Sequence, residues 1–414
     1  MGQQGDEGLS GQARLKVRLM PAAEKAARGG HPWIYADRIK SLSRDGEAGE
    51  LAIVYDRRDR FLGVGLFDPH SPIRLRMLHV GKPVTIDGRW WQARFAAATS
   101  RRFGMFDQGT TGYRWINGES DGLPGLVLDR YADTCVLKIY SSVWLGRIDE
   151  VLGWVTQACE PAPQTVVLRL SRNLQQLGAD CFGRADGELL CGDAGARVVV
   201  FSENGRRFEA DVVRGQKTGF FLDQRENRQR VGDLAKGRDV LNLFSHSGGF
   251  SIYAAAGGAL STTDVDISAH ALAEAERNMA LNLELAGVAA CRHQVIRADA
   301  FKWLEDGVDE YDLVIIDPPS LARRQVERER ALGAYRKLAR AGLRRLRPGG
   351  ILVAASCSAH VSADDFFAMI REVVRRGSRG WEELETHLHA TDHEARIPEA
   401  HYLKAIYFRV TDGK

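Results

Sequence analysis

Val240-Leu-Asn-Leu-Phe244 running into Ser245-His-Ser-Gly-Gly-Phe250 is the stretch whose reading decides the fold. A short apolar run meets a turn containing two glycines, and an apolar helical pattern starts directly behind it. A Gly pair at such a strand-to-helix turn lets the backbone approach a ligand closely. The helix N-terminus behind it favours an anion. The alternation continues downstream. Strands are expected at Asp239–Phe244, Thr262–Asp266, Gln294–Ala298, Leu313–Ile316 and Ile351–Ala355. Helices are expected at Phe250–Ala256, Ala269–Ala286, Ala300–Glu305, Arg328–Arg347 and Ala363–Arg376. Strands alternating with helices imply a parallel sheet covered on both faces. Ligands of such sheets bind at the carboxyl ends of the strands.

Upstream the texture differs. From Leu15 to about Gly88, short apolar or alternating runs are punctuated by Gly, Pro and Asp, as in a small β-rich module. A helical stripe follows at Trp90–Gly104, with Phe95, Ala98 and Phe103. Then come strands near Leu126–Leu128, Cys135–Tyr140 and Thr165–Leu170, and a helix at Ile148–Ala158, which make an α+β block. Val198–Phe201 and Arg207–Val213 read as a hairpin.

Composition excludes several classes. The chain has 414 residues, 44% hydrophobic and 27% charged, which suits a folded protein of several domains. No apolar run is long enough to span a membrane. Met1–Gly11 is polar and lacks the apolar core of a signal peptide. The six cysteines form no C-x-x-C pair and no zinc spacing, so free thiols and a cytoplasmic location are expected. Net charge is only +3. The arginine pairs, such as Arg323-Arg324 and Arg375-Arg376, read first as solvated helix faces.

Acids stand at successive strand tips. Asp266 ends the second strand, where it could accept from ribose hydroxyls. Its alternative is a helix cap, a role Ser268 fills better. Asp299 ends the third strand, placed to accept from an adenine amine or to cap the helix at Ala300. The turn lacks a full G-x-G-x-x-G for a pyrophosphate, which favours S-adenosylmethionine over NAD. The fourth strand ends in Asp317-Pro-Pro-Ser320, a stiff loop that would project Asp317 into the cleft. The fifth leads to Ser356-Cys-Ser358. Cys357 therefore lies at a strand tip, where a thiolate can add to an electron-poor double bond and neighbouring hydroxyls can donate to it. The other cysteines read as inert.

Asp317-Pro-Pro-Ser320 with Ser356-Cys-Ser358 resembles two motifs of RNA cytosine-5 methyltransferases. Gly30-His-Pro-Trp-Ile-Tyr35, Asn117-Gly-Glu-Ser-Asp-Gly-Leu-Pro-Gly125, Lys217-Thr-Gly-Phe-Phe-Leu-Asp-Gln-Arg225 and Leu241–Phe250 are similar to segments of the ribosomal RNA large subunit methyltransferase I family. His246 and Ser247 stand where that family has Tyr and Thr. The resemblance runs from about Leu15 to Val410 and implies an α/β fold. Its parts are an N-terminal β-rich PUA-type RNA-binding domain at 14–88, a central α+β domain at 89–205 and a Rossmann-like class I methyltransferase domain at 206–414.

The resemblance further implies S-adenosylmethionine held by Gln224, Arg225, Phe244, Ser245, Gly248, Gly249, Asp266, Asp299 and Asp317. Lys217 and Asp223 would lie beside it. Cys357 would attack carbon 6 of a cytosine in large-subunit ribosomal RNA while Asp317 binds the ring's polar edge. The base that releases the adduct stays open. His360 is one candidate, against a surface histidine. Pro398–Lys404 resembles the closing strand near the active site, with Tyr402 either stacking or core. His31, Trp33, Tyr35, Arg74 and Arg76 would supply an RNA-docking surface, with Trp33 alternatively in the core. No membrane partner is expected, and a homodimer is left open. Two other readings remain: an amino-nitrogen methyltransferase on RNA or DNA, and a non-catalytic RNA-binding ribosome assembly factor.

Overall fold

The computed structural model describes residues 14–193 and 197–411. The polar segment Met1–Gly11 lies outside the described residues. The chain packs into two compact units, one formed by residues up to 105 with 115–196, the other by 106–114 with 197–414.

The first unit holds two sheets. One has six strands, in the order Trp33–Tyr35, Ile73–Val80, Phe61–Phe67, Leu51–Tyr55, Lys16–Leu19, Ile39–Leu42. Val17, Leu19, Ala52, Val54, Leu62 and Leu75 form its core with Ala23 and Ala27 of a helix at Pro21–Arg28. That short helix has no long apolar period, and sequence reading missed it. The other sheet includes the strands Leu126–Tyr131, Thr134–Ile139, Thr165–Leu170 and Leu189–Cys191. Asn117–Gly125 sits at its edge with its acids spent internally. Glu119 accepts from Trp33 Nε1 (2.8 Å) and Arg76 Nη1 (2.8 Å), and Asp121 accepts from Arg102 (2.7 Å). Arg76 is buried and also reaches Ser141 Oγ (3.0 Å), so it does not belong to an RNA-docking surface, contrary to expectation. Phe103, expected on the apolar stripe, is exposed instead, because the helix ends at Ser100 and the stripe does not reach it.

In the second unit we number the strands of the large sheet β1 (Asp239–Leu243), β2 (Ser261–Asp266), β3 (Arg292–Arg297), β4 (Tyr311–Ile316), β5 (Leu346–Ser356), β6 (Gly380–His387) and β7 (Lys404–Thr411). Their order is β3-β2-β1-β4-β5-β7-β6. The first five pair in parallel, and β7 runs antiparallel between β5 and β6. Successive side chains of a strand point to opposite faces. Accordingly Leu313, Ile315, Ile351 and Val353 pack on one face with Val231, Phe250 and Ala254. Val314, Ile316 and Leu352 pack on the other with Leu304, Leu338 and Ala341. Burial on both faces explains why these strands read as continuous apolar runs.

A hairpin, Val198–Glu203 with Arg206–Asp211, belongs wholly to this unit, and the domain boundary expected at 205/206 falls in its turn. The expected helix Ala269–Ala286 is two pieces, Ala269–Ala280 and Ala286–Ala290. Pro398–Lys404 is no strand: a single 3₁₀ turn covers Pro398–Ala400 and the last strand begins at Lys404. A proline without an N–H cannot take part in that ladder. No described helix is long and apolar enough to cross a membrane.

The hairpin is clamped to the helix Arg225–Leu234 by an ion pair. Arg228 Nε and Nη2 donate to the two Glu203 oxygens at 2.8 and 2.6 Å, and Tyr253 Oη adds a third bond at 3.0 Å. All three side chains are buried. Removing one partner leaves a buried charge alone, which costs about 3–5 kcal/mol. Glu203→Ala is therefore expected to lower the unfolding free energy of the second unit by that amount, read as a fall in the urea midpoint of its transition, while Glu203→Gln, which keeps an acceptor, loses less. Equal midpoints for wild type and Glu203→Ala would show that the pair contributes nothing.

Candidate active site

The order of the sheet reverses between β1 and β4, and a cleft opens at the carboxyl edge of such a switch point. Register fixes what stands there. Leu243 pairs with both Val265 and Ile316, and Ile316 also pairs with Ala354. One residue further, Asp266, Phe244, Asp317 and Ala355 form a row, with Asp299 two residues beyond the end of β3 and Cys357 one residue beyond the end of β5.

On the β1–β2 side the backbone bends sharply. Phe244, His246 and Gly248 have φ of 58°, 48° and 75°. Positive φ in non-glycine residues is strained and concentrates at functional turns. Gly248 is required: a Cβ there would lie 2.8 Å from Ala275 Cβ and 3.1 Å from Asp264 Oδ2. Asp266 ties two turns together, accepting from His246 N (3.0 Å) and Ser268 N (2.8 Å). Ser268 itself caps the next helix through Ala271 N, as expected. Asp299 does cap its helix, accepting from Lys302 N at 3.1 Å, yet it stays exposed at the tip.

Sequence reading passed over two residues here. Ile267, beside Asp266, is 68% exposed, an apolar surface at a polar edge. Asp264 is wholly buried beneath the turn, holding Asn242 Nδ2 and Ser251 Oγ on one oxygen, and burial pushes it up to about 7. Only the β1–β2 register, which puts Asp264 opposite Asn242, brings these groups together. Ser245 Oγ and Asp264 Oδ2 are buried with no hydrogen-bond partner, His293 Nε2 lying 3.7 Å from the latter. Unpaired buried polar atoms, a glycine turn, acids at two strand tips and an exposed isoleucine fit an adenosine-bearing ligand. Ribose hydroxyls and an exocyclic amine need acceptors, and a purine face needs apolar contact.

On the β4–β5 side, Asp317 Oδ2 accepts from Gln224 Nε2 at 2.7 Å. Cys357 is half-buried, its Sγ 3.9 Å from the Pro318 carbonyl. The flanking hydroxyls do not serve the thiol, contrary to expectation. Ser356 Oγ donates to Tyr335 Oη (2.9 Å). Ser358 Oγ accepts from Leu321 N (3.0 Å) and Ala322 N (3.3 Å) and bonds Tyr335 Oη. Serine hydroxyls at alternate positions thus lock the loop after Asp317 to the loop after Cys357. Lys404, fully buried, closes the latter by donating to the carbonyls of Ser358 and Val361, each at 2.6 Å.

Burial pushes the Cys357 thiol up to about 11, the Asp317 charge adds to this, and the Lys217 ammonium opposes it. Burial likewise pushes the Asp317 carboxyl up to about 7, reinforced by Asp223. The Asp317 charge thus disfavours ionisation of the thiol.

Lys217, at φ 53°, lays its ammonium 2.6 Å from Asp223 Oδ2 and 4.6 Å above the Phe221 ring. Tyr402 Oη donates to the same oxygen at 2.6 Å. Burial works against both charges, but their mutual attraction outweighs it, so Lys217 stays cationic and Asp223 anionic. Arg225, expected at the cofactor, is 2% exposed and turned away. It donates to both Asp392 oxygens (3.2 and 2.6 Å) and stacks 4.3 Å over Phe106. His360 is exposed beyond the loop. The structure therefore gathers Gln224, Lys217, Asp223, Asp317, Cys357 and Tyr402 at one end of the cleft. Phe244, Ser245, Gly248, Gly249, Asp266 and Asp299 stand at the other. No cluster of metal ligands occurs among the described residues.

A family of S-adenosylmethionine-dependent methyltransferases matches residues 171–409, and a PUA-like domain family matches residues 17–79. A ribosomal RNA large subunit methyltransferase of Deinococcus radiodurans is 54% identical, covering 97% of this chain and 98% of its own. A ribosomal RNA large subunit methyltransferase I of Shewanella denitrificans is 34% identical, covering 96% and 99%. A solved methyltransferase structure complexed with SAH is 26% identical, with a TM-score of 0.80 over 95% of this chain and 100% of that one. A Streptococcus mutans structure at 24% identity shares the fold, with a TM-score of 0.79.

The opposed ionisations of Cys357 and Asp317 have a measurable consequence. Asp317→Asn removes the charge that raises the thiol, so Cys357 is expected to alkylate with iodoacetamide about three- to tenfold faster at pH 8, corresponding to half to one pH unit. Lys217→Met should slow it. Peptide mass spectrometry separates Cys357 from the other cysteines, and a rate unchanged in Asp317→Asn would refute the coupling.

Proposed function

Because the chain belongs to the ribosomal RNA large subunit methyltransferase I family of S-adenosylmethionine-dependent enzymes, we propose that it forms 5-methylcytosine in large-subunit ribosomal RNA through a covalent adduct on Cys357. The observation that carries this reading is the thiol at the tip of β5, half-buried beside the Asp317-Pro-Pro loop at the switch point.

Carbon 5 of cytosine is a weak nucleophile. Addition of a thiolate to carbon 6 makes the base enamine-like and carbon 5 reactive. Cys357 supplies that thiolate. Asp317 meets the polar edge of the ring, stabilising charge that develops there as the sulfur adds. The locked loops keep both groups in place, which matters because a misplacement of about 1 Å can cost on the order of a hundredfold in rate. Lys217 provides a fixed positive charge over the same space, favouring the thiolate.

S-adenosylmethionine, when bound, supplies an electrophilic methyl group. Phe244, Ser245, Gly248 and Gly249 would cradle it, Asp266 would take its ribose hydroxyls and Asp299 its adenine amine. Ile267 would cover the purine face. Asp317 is kept for the target base, and Arg225 holds the segment Phe221–Arg225 through Asp392 rather than touching the ligand. A base inside a helix must be extruded to reach this cleft. The PUA-like domain is assigned RNA affinity without chemistry, with the exposed Tyr35 on its surface.

An amino-nitrogen methyltransferase would follow Asp-Pro-Pro with an aromatic to stack the base, and here Ser320 follows. That residue is tied into the loop next to Ser358 (3.3 Å). A non-catalytic assembly factor would have no need for the locked thiol.

Cys357→Ala is expected to abolish methyl transfer with S-adenosylmethionine affinity nearly unchanged. RNA carrying 5-fluorocytosine should trap wild type covalently, because fluorine cannot leave as a proton, and should not trap Cys357→Ala. Methylation by folded Cys357→Ala would sink the covalent mechanism. Asp266→Ala should weaken cofactor binding by about 1 kcal/mol or more in calorimetry, as for a charge-assisted hydrogen bond. Equal affinities would remove Asp266 from the site.

A further inference from the structure

Asp317 is not held by its own strand alone. A chain of hydrogen bonds reaches it from the middle of β7. Tyr407 Oη donates to Asn227 Oδ1 (3.1 Å), Asn227 Nδ2 donates to Gln224 Oε1 (2.6 Å), and Gln224 Nε2 donates to Asp317 Oδ2 (2.7 Å). Tyr407, Asn227 and Gln224 are all buried. The direction of the chain follows from its end. A Gln224 turned about would set its carbonyl oxygen against a carboxylate oxygen at hydrogen-bond distance, with no proton between them. Asn227 then has to present its amide to Gln224, and Tyr407 its hydroxyl to Asn227. Asp317 Oδ1 receives no hydrogen bond from the described chain.

Resting on the carbon-5 reading above, we propose that Gln224 is a positioning residue for Asp317, its amide occupying Oδ2 so that Oδ1 alone carries the proton and faces the target pyrimidine. The expected role of Gln224 as a cofactor ligand is replaced by this one. The addition then balances within the site. The resting pair is a thiol beside a carboxylate, and the reacting pair is a thiolate beside a carboxylic acid. The two hold the same number of protons. Once the Cys357 proton is on Asp317 Oδ1, sulfur bonds carbon 6 and the C5=C6 pair shifts to C4–C5. The C4=N3 pair moves onto the ring nitrogen, which takes the proton from Oδ1. Asp317 ends as a carboxylate, the state that Gln224 stabilises. A carboxyl free to turn would place its proton on either oxygen, and half of those arrangements could not donate to the ring.

The test is exchange of the carbon-5 hydrogen. Reversible addition at carbon 6 labilises it without methyl transfer, so tritium release from ribosomal RNA transcribed with 5-tritiated cytidine can be followed against pH with no methyl donor present. Wild type is expected to lose rate below about pH 7, where Asp317 takes a second proton for the pair. Gln224→Met removes a hydrogen bond that favours the charged carboxylate. It should move this acid limb up by about one pH unit, or about tenfold in rate on the limb, with SAH affinity by calorimetry unchanged. Tyr407→Phe removes one hydroxyl at the far end of the chain and should move the limb in the same direction by less. It decides the matter if Gln224→Met does not fold. An acid limb that stays in place in the folded variant overturns the proposal. So does lost SAH affinity with an unmoved limb, which would return Gln224 to the cofactor. Wild type that exchanges no carbon-5 hydrogen would instead refute the carbon-5 reading itself, and this inference with it.

Discussion

The pairing of β1 with β4 is the constraint on which the rest depends. Leu243 opposite Ile316 puts Phe244 and Asp317 side by side where the two strands end. The next strand on each side adds one reactive end: Asp266 from β2 and, by way of β5, Cys357. A shift of one residue in either pairing would turn Asp317 onto the opposite face of the sheet and bury it against a helix. The apolar alternation of Val314 and Ile316 against Leu313 and Ile315 prevents that, because each pair fills a different core.

Around this row the chain arranges charges that oppose one another. Cys357 and Asp317 are both reluctant to ionise: burial acts on each, while the Asp317 charge raises the thiol and the Asp223 charge raises the carboxyl. The Lys217 ammonium is held near them by its bond to Asp223 and by the faces of Phe221 and Tyr402. A site of this kind is poised rather than charged. Thiol with carboxylate and thiolate with carboxylic acid carry the same net charge. The supports are made of backbone and serine: Ser358 grips the loop at Leu321–Ala322, and Lys404 grips the loop at Ser358–Val361.

The segment Lys217–Arg225 carries much of this arrangement, and it is fastened by buried ion pairs on either side. Arg228 binds Glu203 of the hairpin, and Arg225 binds Asp392 between β6 and β7. Buried pairs of this sort add little to net stability relative to apolar packing, but breaking one is costly. Their use here is to set the position of Gln224 and Lys217 within the cleft.

Much of the protein was legible in its sequence. The Gly turn, the acids at strand tips and the Asp317-Pro-Pro loop are local features, and their chemistry follows from residue type and spacing. Strands of the parallel sheet could be read because burial on both faces makes them continuous apolar runs. The long helices could be read from their period, except that Ala269–Ala286 breaks at Leu281. Less was legible where partners lie far apart in the chain. Nothing local says that Arg76 ends in a buried bond to Glu119, that Arg225 meets Asp392, or that Ser356 and Ser358 serve Tyr335 and the loop at Leu321 rather than Cys357. Gln224 was legible as a site residue but not as the partner of Asp317, some ninety residues away, nor as the end of a chain from Tyr407. Sequence by itself determined which groups can react and which strand tips they occupy, because alternation and turn chemistry are local. Only the tertiary structure decided which of them are bonded, turned and left open, because hydrogen bonds join whatever the fold brings within 3 Å.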